Sequence, residues 1–553
     1  MPDTSLLAKR LVKFALPFQG LNTTSPSLVL AKGYASSAYS VRFSQGEIST
    51  MPAVVSLGTF TGAGSPINGA FTQMRASDNT VLSYHATNGY ICIYTPNINT
   101  WKSITYVGTE GAILTDLPNT SSGLDEDFWS FAEVANDIFI SNGVGTLLWS
   151  ASGDSFTILD LAAPSVPYSA RILVSFAGRL VLVNTYESGQ HHEDRVRWSA
   201  AQSPTIFDPI SDASAGANDI VDLPGALTGA IALGGRLFLH KRSGITVMSE
   251  TGLVTPSFSF QTAVDAVGTI APRTLLDVRG VQIFMGVDDI YAYDGASPPR
   301  SIGEPIRREL FAALNWKRVK CCWALDYVDT HEYLLFVATD TDDWPKIIYA
   351  YDYANNTWSR RYAPGPIACS AGANYQISPV VDTWDGGLDN QWNAADGVGS
   401  SDNYPNKDLW DAPEQVPHLV PFIGRSNGSI IRFDEAALAL NETCSFETAD
   451  WDCDRPGFYK TIESIRVGFR CLESPPSNLT VAVSGNGGVT WVNTGGGGPR
   501  HTPSGSPVGA IEMVTWHPSP RLTAAQFRIR IQGTRKFSVV SLEAEVIDRS
   551  EIS

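Results

Sequence analysis

Ile91-Cys92-Ile93-Tyr94-Thr95-Pro96-Asn97-Ile98-Asn99-Thr100-Trp101 returns downstream as Ile347-Ile348-Tyr349-Ala350-Tyr351-Asp352-Tyr353-Ala354-Asn355-Asn356-Thr357-Trp358. Each copy is an apolar run rich in β-branched and aromatic residues, then a polar turn, then Asn-Thr-Trp. That order reads as a strand, a tight hairpin turn and a returning strand anchored by a large ring. Weaker copies lie between the two, with strand centres near Cys92, Leu148, Arg197, Thr246, Tyr291, Tyr349 and Ile431. The gaps are 56, 49, 49, 45, 58 and 82 residues. A period near 50 is that of kelch-type propeller blades, each a four-stranded sheet around a central axis. The long gap contains residues 378–415, which carry no strand pattern, and removing those 38 residues leaves 44. The expectation is an all-β chain with a kelch-like β-propeller of about seven blades.

Many units carry an upstream strand that enters through Gly or a polar residue. Gly178–Val183, Gly235–Leu239, Asn136–Ile140 and Gly280–Phe284 are of this kind. Gly there suits a turn that needs positive φ, and the apolar alternation suits a half-buried strand. Helical periodicity is scarce. Ile306, Leu310 and Leu314 recur at four-residue steps and predict one short amphipathic helix.

Three regions follow. Residues 1–60 read as an extended lead-in and docking segment, with Tyr39–Phe43 and Gly46–Pro52 as its patterned parts. Residues 61–440 are the propeller, with 378–415 inserted late. Residues 441–553 lose the period and carry alternating strands at Ile465–Phe469, Leu479–Val483, Phe527–Ile531 and Phe537–Leu542, the pattern of a β-sandwich.

The chain has 39 basic and 56 acidic residues, a net charge of −17. From Asn441 onward there are 12 acids and 11 bases, so the first 440 residues hold the other −16. Residues 378–415 alone hold eight acids against one lysine. A protein that grips DNA by its phosphates needs clustered Lys and Arg, so this balance argues against one. No run of about 18 apolar residues exists, and no membrane span is expected. The apolar stretch near Lys9–Phe18 is broken by Lys13 and Pro17 and does not read as a signal peptide, so a cytoplasmically made protein is expected. Seven cysteines without paired spacing read as free thiols.

Catalytic signatures are missing from the sequence. It holds no phosphate-binding Gly-x-x-x-x-Gly-Lys, no His-Glu-x-x-His and no Gly-x-Ser-x-Gly elbow. No catalytic, cofactor or metal residue is assigned. His191-His192-Glu193-Asp194 has metal-ligating residue types but reads as a solvated hairpin loop, while His85 and His240 read as packed strand positions. Ser484-Gly485-Asn486-Gly487-Gly488-Val489-Thr490-Trp491 resembles the Asp-box of sialidases with Asn for Asp. In that family the box is a structural turn away from the active site.

Four segments in order, Arg195–Ser199, Gly225–Phe238, Gly268–Arg273 and Asp289–Gly295, resemble bacteriophage tail propellers. These are the nozzle or tail-hub proteins of short-tailed phages, also called tail tubular protein B. The Trp-Asp segments at Trp384-Asp385 and Trp410-Asp411, and the ending Phe527–Ile531 followed by Val540–Val546, add to the resemblance. It implies a structural virion protein in a homo-oligomeric tail ring, typically of six copies. Such a ring meets adaptor or portal-side and distal tail proteins and lets DNA pass on ejection without sequence-specific binding. It also implies synthesis in the host bacterial cytoplasm and residence in the virion tail. Two other readings remain open: a receptor- or glycan-binding tail protein, and a glycan hydrolase on a propeller scaffold. Candidate channel or partner residues are Asp382, Asp385, Asp389, Asp396, Trp384, Trp392 and Trp410, all in the acidic insertion.

Overall fold

A computed structural model describes residues 9–551 except 45, 60–64, 75–80, 88–89, 96–99, 104, 108–112, 115–126, 144–147, 151–154, 159–166, 188, 364–366, 378–417, 436–438, 471–478 and 494–509. Seven sheets follow one another along the chain as blades 1 to 7. Blade 1 spans 69–103, blade 3 spans 167–219, blade 4 spans 227–264, blade 5 spans 276–301 and blade 6 spans 323–362, each with four strands. Blade 2, 130–158, adds two short strands, 105–107 and 113–114. Blade 7 takes three strands from 369–434, and Ala53–Thr59 supplies the fourth by pairing with Ser429–Asp434. The first strands of the blades neighbour one another in a closed circle, blade 7 against blade 1. The seven repeat centres read from the sequence each fall on the third strand of a blade.

The upstream strands are the second strands, and their entry turns explain the glycines. Ala135–Asn136, Ala177–Gly178, Gly234–Gly235 and Arg279–Gly280 each have positive φ at both residues. Each pair joins directly registered strands, such as Phe176↔Arg179 and Leu233↔Arg236. These are two-residue turns with the left-handed backbone that matches strand twist, which is why Gly and Asn recur there. The two Asn-Thr-Trp copies also do equivalent work. Trp101 Nε1 of blade 1 donates to Leu57 O on the outer strand of blade 7, at 3.2 Å. Trp358 Nε1 of blade 6 donates to Ile302 O just after the outer strand of blade 5, at 2.7 Å. Each ring ties its blade to the one before it.

The expected lead-in is not a separate segment. Lys9–Lys13, Val41–Ser44 and Glu47–Thr50 join a seven-stranded sheet with the C-terminal strands, and Ala35–Tyr39 joins the facing five-stranded sheet. Lys9 pairs with Ile547 and Tyr39 with Ser445. Alternation in the sequence announces these strands but not their partners, because a strand's pattern records which face is buried and not what lies beside it. The two sheets bury Phe446, Val481, Ile529 and Ile531 against Ile465, Val467, Val514 and Trp516.

This sandwich shares one hydrophobic core with blades 5 and 6, including Ile283, Leu335, Tyr349 and Trp358. Backbone bonds continue across the junction. Leu21 N donates to Trp358 O at 2.8 Å and Ser40 N to Arg360 O at 2.7 Å. Arg42 makes a two-pronged bond to Glu332, both arms 2.8 Å, and reaches Glu435 at 2.8 Å. The outer strand of blade 6 therefore presents no free edge to solvent along this contact.

The short helix Arg307–Ala313 links blades 5 and 6. Ile306, Leu310 and Leu314 are all buried, as their spacing predicts.

Candidate functional site

Up-and-down blades sort their connections onto two ends. Hairpins between first and second strands, and between third and fourth, lie at one end. Hairpins between second and third strands, and the blade-to-blade links, lie at the other. The acidic insertion joins the first and second strands of blade 7, leaving at Ile377 and returning at His418, which pair with each other. It thus replaces an innermost hairpin turn beside the propeller axis, and we call that end the insertion end. Asp382, Asp385, Asp389, Asp396, Trp384, Trp392 and Trp410 lie outside the described residues. What the structure places is the rim around the insertion's base.

That rim is acidic and partly desolvated. Asp329 Oδ2 of blade 6 accepts from Leu419 N at 3.1 Å, tying the return of the insertion to the neighbouring blade. Beside it, burial pushes the Asp326 carboxyl up to about 6, with Asp277 adding repulsion while Tyr353, Arg279 and His331 pull it down. Asp326 Oδ1, the Tyr353 phenol oxygen and Asn374 Oδ1 are buried without hydrogen-bond partners. Arg279 lies 5.2 Å over the Tyr353 ring, and His331 meets the same ring edge-on at 5.7 Å. Burial pushes the Tyr353 phenol up to about 12. Asn374 Nδ2 donates to Asp326 O at 2.5 Å. Chemically this is a carboxyl able to hold a proton near neutrality, set among groups from blades 5, 6 and 7. No sequence motif marks it, because its members converge from three separate repeats.

The opposite end of the axis is closed. Arg273, just before the first strand of blade 5, lays its guanidinium 3.5 Å over the ring of Phe128 at the start of blade 2. Trp344 of blade 6 meets Phe128 edge-on at 6.1 Å. Arg273 also donates to Ser370 O at 2.8 Å and Cys321 O at 2.9 Å, in blade 7 and just before blade 6. Burial pulls its pKa down to about 10. Residues from opposite sides of the circle thus meet across its centre, and the propeller's own axis is not a through-channel.

The other residues read from the sequence fall as follows. His191 and His192 lie in strand Gln190–Trp198, not in a hairpin loop, because the turn comes earlier, at Gly189. His191 stacks on Tyr186 at 4.1 Å, and Asp194 is taken by the buried Lys241 ammonium at 2.7 Å. Lys241 completes its three bonds on Ile220 O at 2.6 Å and Leu223 O at 2.8 Å. No group of three or more metal-ligating side chains gathers among the described residues. His85 and His240 are fully buried, and burial pulls them down to about 3 and about 4. Six of the seven cysteines are described, all buried and free, and Cys471 lies outside the described residues.

The Asp-box-like segment is a self-closed turn on the sandwich. Asn486 Oδ1 accepts from Thr490 N at 2.9 Å, its Nδ2 donates to Thr490 Oγ1 at 2.8 Å, and Gly488 N donates to Ser484 Oγ at 2.9 Å. Its Asn486 lines a cleft of about 350 Å³ together with Ser27, Leu28, Asp450 and Gln526.

No helix among the described residues is long and apolar enough to cross a membrane. No family model matches the chain. No curated protein sequence matches it. Among solved structures, the chain is similar to YCF48 bound to D1 peptide, at 11% identity and a TM-score of 0.35, over 69% of this chain and 97% of that one. It is also similar to the extracellular domain of the putative hybrid two component system BT4673 from B. thetaiotaomicron. There the identity is 10% and the TM-score 0.35, over 94% of this chain and 59% of that one. The blade-by-blade sheet order is what establishes the propeller here.

Proposed function

We propose that the chain is a structural building block of a phage tail ring, part of the nozzle or hub through which DNA is ejected. The observation that carries this reading is the fusion of propeller and sandwich. Both ends of the chain are woven into one sheet, and that sandwich shares a core with blades 5 and 6. A unit locked in this way transmits force without hinging, which a ring under ejection pressure requires. The Phe128–Arg273–Trp344 closure adds a condition: DNA passes between copies, through the hole of the ring, and not through any one propeller. A negative wall would keep the duplex centred without pinning it, because each phosphate contact made by Lys or Arg slows passage.

Electron microscopy of the native particle, with mass spectrometry of its proteins, tests this. The expected result is a closed ring of copies around an open centre. A chain missing from particles and monomeric with every tail partner present would overturn the reading.

A second reading, a receptor- or glycan-binding tail protein, is favoured by the position of the insertion. It places Trp384, Trp392 and Trp410 on a loop rooted at an open end of the propeller. Retention of the purified chain on a glycan column, lost when these three are changed to Ala, would support it over the first.

A further inference from the structure

The connection end carries the one cationic patch that stands out against an acidic chain. Between blades 5 and 6, the helix Arg307–Ala313 and the 3-10 segment Trp316–Cys321 bring several bases together. Two of them are already neutralised, Arg307 by Asp289 at 3.1 Å and Arg318 by Asp343 at 2.8 Å. Arg308, Lys317 and Lys320 are exposed and have no ion-pair partner among the described residues. They form one patch. Arg308 and Phe311 are three apart on the helix and so share a face, and Phe311 packs 6.2 Å from Trp316. Lys317 and Lys320 are three apart in a 3-10 turn, where such side chains eclipse. Trp316 is 49% exposed in their midst, an unusual place for the largest apolar side chain.

The insertion has the opposite character and the opposite position. It holds eight acids against one lysine, with three tryptophans among them. It is rooted between the first and second strands of blade 7, whereas the patch lies on the link from blade 5 to blade 6. By the alternation of connections, the two features are at opposite ends of the propeller. We infer that copies of this chain join head to tail, the Arg308/Trp316/Lys317/Lys320 patch of one receiving the acidic insertion of the next. The inference rests on the ring reading above and specifies its contact. Complementary charge selects and orients such a pairing, and Trp316 supplies a desolvated anchor. An interface made of two different surfaces is heterologous, and it closes into a ring when the rotation between copies allows. Duplex DNA is the competing occupant of a basic, aromatic patch. Three free cations on a chain of net charge −17 make a poor phosphate track, which favours the acidic segment.

Sedimentation velocity over a concentration series, at low and high salt, tests the contact on the full chain. One variant carries Arg308→Glu, Lys317→Glu and Lys320→Glu, and the other carries Asp382→Lys, Asp385→Lys, Asp389→Lys and Asp396→Lys. Each is expected to weaken self-association about tenfold or more at low salt, with the difference shrinking at high salt. Mixing the two variants in equal amounts is expected to restore association, since reversed patch then meets reversed insertion. That restoration also shows that both variants are folded. Unchanged association in both variants overturns the contact while leaving the ring standing. Separate defects with no rescue on mixing, but rescue when both sets share one chain without concentration dependence, place the pairing within a single copy and overturn it. Loss of duplex DNA binding with association intact makes the patch a nucleic-acid surface and overturns it. A wild-type chain that is monomeric at every concentration and missing from particles sinks the ring reading as well.

Discussion

Propeller and sandwich are both antiparallel β-structure, yet they are assembled from opposite kinds of contact. Within blades 3 to 6 every pairing joins strands that are consecutive in the chain, through hairpins as short as two residues. In the sandwich, Lys9 pairs with Ile547 and Ile48 with Val539. Local hairpins let each blade form early with little loop entropy to overcome, whereas the sandwich must wait for both ends of the chain. The difference teaches that the sandwich is less an appended domain than a clasp. It forms last, and it holds together what the repeats have built.

The sharpest way to break the propeller half of that comparison is at Gly268. A Cβ there would lie 1.8 Å from Lys241 O, against backbone that cannot yield. Gly268→Ala is expected to cost about 4 kcal/mol or more, because strain of this kind falls in the tail of mutational effects. Urea denaturation with fluorescence would read it, and a loss under 1 kcal/mol would show that the link between blades 4 and 5 adapts freely.

At the junction, Arg42→Ala leaves Glu332, whose side chain is 4% exposed, without its two-pronged partner. A buried carboxylate stranded in this way costs about 3 kcal/mol. If the sandwich is a clasp, calorimetry should then resolve two transitions where the native chain has one. A single transition shifted as a whole would mean that the shared core alone couples the halves.

Acid should act chiefly on the propeller. Unfolded histidine takes up its proton near 6.5, but buried His240 does so only near 4. Below pH 6.5 the unfolded chain binds more protons, so native stability falls as pH drops toward 4. At pH 5 the expected loss is about 2 kcal/mol. His240→Gln should remove it while keeping a polar neighbour for Gln282, which His240 Nε2 contacts at 2.8 Å. An identical pH profile in the variant would mean that other groups control acid sensitivity.

Asp326 at the insertion end works in the reverse direction, with a smaller effect. Its native carboxyl keeps the proton up to about 6, while the unfolded form loses it near 3.8. Stability from this group is therefore lost as pH rises through that window. Asp326→Asn should stabilise the chain at pH 7 by about 1 kcal/mol after allowance for its partial exposure. Destabilisation instead would mean that the charged form is held by partners at the base of the insertion.

The residues themselves show what was legible. Asn-Thr-Trp after an apolar run, and Gly or Asn before one, fixed the blade period and the second and third strands, because hairpins write turn chemistry and alternation into adjacent residues. The Ile306/Leu310/Leu314 spacing fixed the helix for the same local reason. The tertiary structure alone decided that residues 9–59 belong to the sandwich and to blade 7, that His191 sits in a strand, and that Phe128 and Arg273 meet across the axis. It also decided that Asp326 is desolvated among groups from blades 5, 6 and 7. Each of these depends on which strand lies beside which, and a strand's sequence records only the alternation of its own two faces.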